Sequence, residues 1–157
     1  MKQSIRSLKI LKKKEKQNIL EKLNESWGIK EIPGIIARRG EERLFLFTGE
    51  FEENKIRALE SAAFVERLGI YFVKIINNEI RLSIEGTQIF KDQITKNIFE
   101  LNEEQTEEWM MGRELLIKTG KHGFLVMKYK DDFLGCGKAS AEKIGNFIPK
   151  NRRLKNK

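Results

Sequence analysis

The amino-acid sequence predicts an α+β fold: a mixed N-terminal α/β domain followed by a small β-barrel with one leading helix. Two observations carry this. Helix-period and strand-period apolar patterns alternate through the first hundred residues or so, whereas the stretch from 114 to 138 is nearly all strand-type, broken by glycine and aspartate turns. The composition also shifts between 95 and 101. Residues 1–24 therefore read as a basic helix or arm, 25–96 as a mixed α+β domain, and 97–157 as a compact β module with a basic end.

The 157 residues suit one domain or two small ones. No apolar run approaches the roughly 18 residues that a membrane-spanning helix needs. Ile10-Leu11 is followed at once by Lys12-Lys13-Lys14, which leaves no apolar core for a secretory leader. A single cysteine excludes an internal disulfide and fits a reducing, cytoplasmic compartment. The net charge of +8 points to a polyanionic partner, nucleic acid first and an anionic membrane surface second.

In chain order, Ile5, Leu8, Ile19, Leu20 and Leu23 fall near helical spacing, so 1–24 is expected as one helix. Lys9, Lys12, Lys13, Lys14 and Lys16 cluster on it, either as an arm along phosphates or as a solvated face. Trp27-Gly28 ends this helix. Glu31-Ile32-Pro33-Gly34 is a turn signature. Residues 38–43 are polar and read as a loop or a turn between short strands, and 44–47 as an apolar strand. A helix is expected over 54–68, with Gly69 as its C-cap. Residues 70–76 are strand-like, Asn77-Asn78 is a tight turn because Asn tolerates positive φ, and Ile80, Leu82 and Ile84 alternate along a return strand. A short helix or turn spans 88–94. Asn102 with Gln105 forms a capping-box pattern that opens a helix running to Met111, with Gly112 ending it. Strands follow at 114–117, 124–129 and from 133. Gly135 and Gly137 would weaken an ordinary strand, so a bulge or a close backbone approach is expected there.

The chemical candidates are few. Cys136 between two glycines is either an exposed nucleophile, with Lys138 or His122 as partner, or a small packed residue, and packing is the better reading. One cysteine and one histidine do not supply a zinc set. Gly135-Cys136-Gly137 is a bare G-x-G inside a strand rather than a loop opening a helix, and Thr119-Gly120-Lys121 lacks the upstream glycine of a phosphate loop. Acidic pairs such as Glu52-Glu53 and Glu103-Glu104 read as helix-surface charge. The C-terminal segment differs: Lys150, Arg152, Arg153 and Lys155 follow Pro149 in what is expected to be an extended stretch, with no acidic residue after Glu142. These cations suit phosphates, Asn146 and Arg152 can reach bases or sugar hydroxyls, and Phe147 can stack or, as the preferred reading, pack in the core.

Leu134-Gly135-Cys136-Gly137-Lys138, then Asn146-Phe147-Ile148-Pro149-Lys150 and Arg152-Arg153, with Trp109-x-x-Gly112-Arg113 upstream, resemble the PUA-like RNA-binding domain of the Sun/Fmu (RsmF-type) rRNA cytosine methyltransferase family. The resemblance covers 98–154 and extends loosely upstream. It implies a PUA-like β-barrel and an RNA-binding role carried by Lys138, Asn146, Lys150, Arg152 and Arg153, with Lys143 completing the expected set. The family's catalytic part is a large Rossmann-like domain with a glycine-rich donor loop and cysteines in Pro-Cys and Thr-Cys settings. This sequence has neither dipeptide, so methylation does not carry over and no cofactor is expected.

The expected protein is thus non-catalytic and RNA-binding, of archaeal type, acting on rRNA or tRNA in ribosome biogenesis or RNA modification. An RNA methyltransferase or ribosomal proteins are its further expected partners, with no membrane association. The alternative is an accessory, protein-binding subunit of an RNA methyltransferase, which an exposed apolar patch around Trp27, Phe45 and Phe47 would favour.

Overall fold

The structure, a computed structural model, describes residues 8–48 and 69–155, with 54, 55 and 58 between them. Its contacts divide the chain into Met1–Arg81 and Leu82–Lys157. The division expected at 96/97 differs from this by the segment 82–96, which carries a short helix packed on the second sheet.

The first unit is built on a five-stranded sheet in sequence order, β1 (Lys9–Ile10), β2 (Ile35–Arg39), β3 (Arg43–Phe47), β4 (Ile70–Ile76) and β5 (Glu79–Leu82). Leu8-Lys9-Ile10 alternates buried, exposed, buried, which is strand periodicity. Lys9 and Ile10 pair with Arg38 and Ala37, and Leu8 and Ile10 pack against Ala37 and Phe45. Of the single helix expected over 1–24, residues 1–7 lie outside the described residues, and from Leu8 onward the chain is a short strand followed by helix α1 (Lys13–Trp27). A lysine-rich stretch hid the change from period 2 to period 3.6. On α1, Ile19, Leu23 and Trp27 sit four residues apart and are buried as one stripe. Gly28 ends α1 in the left-handed region at φ 82°, its N–H donating to the Asn24 carbonyl at 2.9 Å while Ile29 donates to Leu23 at 3.4 Å. The indole N–H of Trp27 donates to the Ile80 carbonyl at 3.2 Å and ties α1 to the far edge of the sheet.

Residues 40–42 form the turn between β2 and β3, so the polar stretch at 38–43 is a hairpin whose flanks are strand. Asn77 and Asn78, at φ 48° and 65°, make the two-residue turn between β4 and β5 read from the sequence. The return strand stops at Leu82. Ser83 is the N-cap of helix α2 (Ile84–Ile89), its hydroxyl accepting from the Gly86 N–H at 2.9 Å. Ile84, expected as the last strand position, is therefore the first helical one. The helix expected over 54–68 lies largely outside the described residues; Asn54, Lys55 and Ala58 within it are helical.

The second unit carries a four-stranded sheet in the order β6 (Ile98–Glu100), β7 (Gly123–Tyr129), β8 (Asp132–Ala139) and β9 (Ile144–Asn146). β6 is parallel to β7 and the other pairs are antiparallel. The sheet is open, and among the described residues the expected barrel does not close. The strand expected at 114–117 reduces to one bridge, Leu115 to Ile144, beyond the β9 edge. Helix α3 (Glu103–Met110) opens with the full capping box: Gln105 N–H donates to the Asn102 side chain at 2.8 Å, and Asn102 N–H to the Gln105 side chain at 3.0 Å. Trp109 on α3 is fully buried among Leu101, Leu115, Leu125, Met127, Ala139, Ile144 and Ile148. This cluster is the core of the unit, and it places the C-terminal segment.

Candidate nucleic-acid interface

The two glycines of β8 have separate jobs. Gly135 lies at φ 83°, where Val126 pairs with Cys136 but Lys128 pairs with Phe133, so it occupies the expected bulge. Gly137 makes the close approach: a Cβ there would lie 2.7 Å from the Trp109 ring and 2.5 Å from Ile144. Cys136 between them is a buried thiol, which agrees with packing rather than exposed nucleophilicity. Thr119-Gly120-Lys121 is a small turn in which the Lys121 N–H donates to the Thr119 hydroxyl at 3.0 Å.

The C-terminal segment clamps the end of α3. Every carbonyl of the helix's last four residues is met. Met111 N–H donates to Glu107 at 3.1 Å, Arg113 N–H to Glu108 at 3.1 Å, Gly112 N–H to Trp109 at 2.9 Å and Leu154 N–H to Met110 at 2.8 Å. Asn146 adds to this: its side-chain amide donates to the carbonyls of Trp109 at 2.8 Å and Arg113 at 3.0 Å, while its oxygen accepts from the Ile148 N–H at 2.8 Å. Arg153 lies across Gly112, where a Cβ would come within 2.2 Å of its Nε, and that Nε donates to the Ile148 carbonyl at 2.9 Å. A cation at a helix C-terminus also suits the helix dipole.

The six residues expected to hold RNA therefore stand in different settings. Asn146 and Arg153 hold the chain to α3. Arg152 is ion-paired with Glu85 of α2, and Lys143 with Glu114 at 2.8 Å; all four side chains are partly exposed. Lys150 is exposed on a 3-10 turn, Lys150–Arg152, so the stretch expected to be extended is coiled at its start. Lys138 is exposed on β8, directly opposite Phe124 of β7, with its ammonium 5.0 Å from the centre of that ring. Phe124 in turn meets Phe147 edge-on, ring centres 6.0 Å apart.

Phe147 is 40% exposed, so its preferred core reading is wrong. Strand β9 ends at Asn146, and the chain turns so that Ile148 takes the inward position instead. In the sequence Phe124 is marked only as a strand residue. Its pairing with Lys138 depends on a register that no local pattern encodes. Trp27 and Phe45 are buried, at 1% and 6% exposure, so they do not form the exposed apolar patch with Phe47 that would favour an accessory subunit. Among the described residues no cluster of three or more His, Cys, Asp or Glu side chains is placed to hold a metal, and no helix is long and apolar enough to cross a membrane.

The residues of the clamp and of β8 all fall within 96–154, which matches the sequence family described as methyltransferase RsmF PUA domain. The match falls on the segment whose residues resemble that family in the sequence, so 96–154 is similar to the RsmF PUA domain. The chain is also similar to ribosomal RNA small subunit methyltransferase F of Aeromonas salmonicida, 26% identical over 140 residues. The corresponding proteins of Aeromonas hydrophila and Psychromonas ingrahamii are 24% and 26% identical. These alignments cover 87–88% of this chain, so the similarity reaches well upstream of the PUA-type segment. They cover only 28–29% of the relatives, so the chain spans a little over a quarter of their length. All three relatives are bacterial, and none supports the archaeal type expected from the sequence.

Proposed function

We propose that the unit formed by residues 82–157 binds RNA, with rRNA in a methylation or ribosome-assembly setting as the target and tRNA as the alternative ligand. The observation that carries this reading is the match of 96–154 to the RsmF PUA domain, together with cations displayed beside aromatic rings on the same segment. The relatives' name supplies the rRNA context. Residues 138–157 hold Lys138, Lys143, Lys150, Arg152, Arg153, Lys155 and Lys157 against Glu142 alone, so a phosphate backbone passing them meets a strong positive field.

Binding is stoichiometric and non-catalytic in this reading. The single thiol is buried, so it lacks the exposure a nucleophile needs. Phosphates are held by Lys138, Lys150 and, when it leaves Glu85, Arg152. Lys143 does the same when it leaves Glu114. Asn146 and Arg153 act indirectly, by fixing the segment that displays the others. An RNA methyltransferase or a ribosomal protein is the further partner this setting implies.

The test is fluorescence anisotropy of a labelled rRNA fragment against duplex DNA over a salt series. The reading expects tighter binding to RNA, with a logarithmic salt slope reduced by about 0.7 for each of Lys138→Gln and Lys150→Gln if the contacted RNA is single-stranded. Equal weak binding to both nucleic acids, unaffected by these changes, would assign the positive charge to another partner.

A further inference from the structure

Phe124, Lys138 and Gly145 form one row across three strands, because Phe124 pairs with Lys138 on one side and Gly145 with Lys138 on the other. Side chains in such a row project to the same face of a sheet. Gly145 leaves that end of the row vacant: a Cβ there would meet only the Lys138 carbonyl, at an ordinary 3.7 Å. Phe147 stands beside the row, its ring 6.0 Å from Phe124 at an interplanar angle of 62°. The Lys138 ammonium sits over the Phe124 ring, so Phe124 already has a cation against it. Phe147, at 40% exposure, keeps ring surface open to solvent.

We infer that Phe147 is a stacking platform for one unpaired RNA base, with Phe124 as its supporting wall and Lys138 as the contact for the adjacent phosphate. This rests on the RNA-binding reading and narrows it to single-stranded segments. An edge-to-face partner fixes the platform's orientation, so little side-chain freedom is lost when a base arrives. A base face needs no hydrogen-bond partner, which suits a site whose neighbours are a phenyl ring and a glycine. The base of a continuous duplex is stacked on both sides and is not offered to such a surface. Lys138 lies within a side chain's reach of the same spot and neutralises the charge that travels with the base.

The experiment compares the wild-type chain with Phe147→Leu and with Gly145→Leu. The probes are an unstructured RNA oligonucleotide carrying a fluorophore and the same strand annealed to its complement. Phe147→Leu keeps apolar bulk but removes the π face, and it should weaken binding to the single strand about tenfold, the scale of one base–aromatic stack. Gly145→Leu fills the vacant end of the row and should do the same. Neither should change the affinity for duplex or the salt slope, because no phosphate contact is lost. Circular dichroism of both variants is the control for folding. Unchanged single-strand affinity in both variants, or a wild-type preference for duplex, would overturn the platform while leaving RNA binding intact. A wild-type chain that binds neither probe would overturn the RNA reading and the platform together.

Discussion

The side-chain amide of Asn146 donates to the main-chain carbonyl of Trp109 at 2.8 Å, across 37 residues of sequence. With the bonds to Arg113 and from Ile148, this one carboxamide joins the end of α3, the end of β9 and the turn into the C-terminal segment. Residues that look like a nucleic-acid-binding signature in sequence are thus in part a joint. Asn146→Ala should destabilise the second unit by about 2–3 kcal/mol, the net worth of three hydrogen bonds with polar groups left partly buried. Urea denaturation followed by tryptophan fluorescence would measure it. In the absence of urea, where the variant is still folded, its RNA affinity should fall less than that of Lys138→Gln, because Asn146 fixes the segment without touching the RNA.

Gly137 is where β8 passes under the Trp109 ring. Gly137→Ala places a methyl 2.7 Å from that ring and 2.5 Å from Ile144. The neighbours are fully buried, so they have little room to move, and overpacking of this kind costs about 1–3 kcal/mol. Gly145→Ala, eight residues on and open, should cost far less. Equal midpoints for the two variants would show that the core yields more easily than its packing implies.

Arg152 and Glu85 form an ion pair between partly exposed side chains, worth little to stability in water. Removing the carboxylate should nonetheless affect binding. Glu85→Gln releases Arg152 and deletes one negative charge beside the basic segment, and RNA affinity at low salt should rise about two- to fivefold. High salt should erase the gain. A fall in affinity would mean that Glu85 positions Arg152 rather than occupying it.

Lys9 on β1 donates to Glu15 in the first turn of α1 at 2.8 Å, and this bond holds the Glu15 carboxyl below the usual carboxylate range. A carboxylate whose pKa is lower folded than unfolded contributes stability above its unfolded pKa and loses it as pH falls through the folded one. The wild-type melting temperature should therefore drop slightly more on acidification than that of Lys9→Ala. The group is exposed, so the difference is small and should shrink in salt.

Local sequence sufficed wherever a few adjacent residues fix the backbone. Asn77-Asn78 gave a tight turn because Asn accepts positive φ, Asn102 with Gln105 gave a capping box, and Gly28 ended α1. The glycines at 135 and 137 announced an irregular strand, though which one bulged and which one yielded to Trp109 was not visible. The errors share a cause. Leu8 to Ile10 carries strand alternation too short to outweigh a neighbouring helical pattern, and its partner Ala37 lies far along the chain. Ser83 reads as the wet face of a strand until the helix it caps is seen.

By itself the sequence determined an α+β chain with a basic C-terminal segment and a PUA-type signature, because charge, periodicity and turn chemistry are local properties. Only the tertiary structure decided what that signature does residue by residue. Asn146 and Arg153 were spent on the end of α3, Arg152 and Lys143 were paired with distant carboxylates, and Phe147 was turned outward beside Phe124 and Lys138. Each of those outcomes depends on strand register and on which chain end meets which helix. Hydrogen-bond satisfaction and core packing select them over the whole unit, and no short stretch of sequence contains that choice.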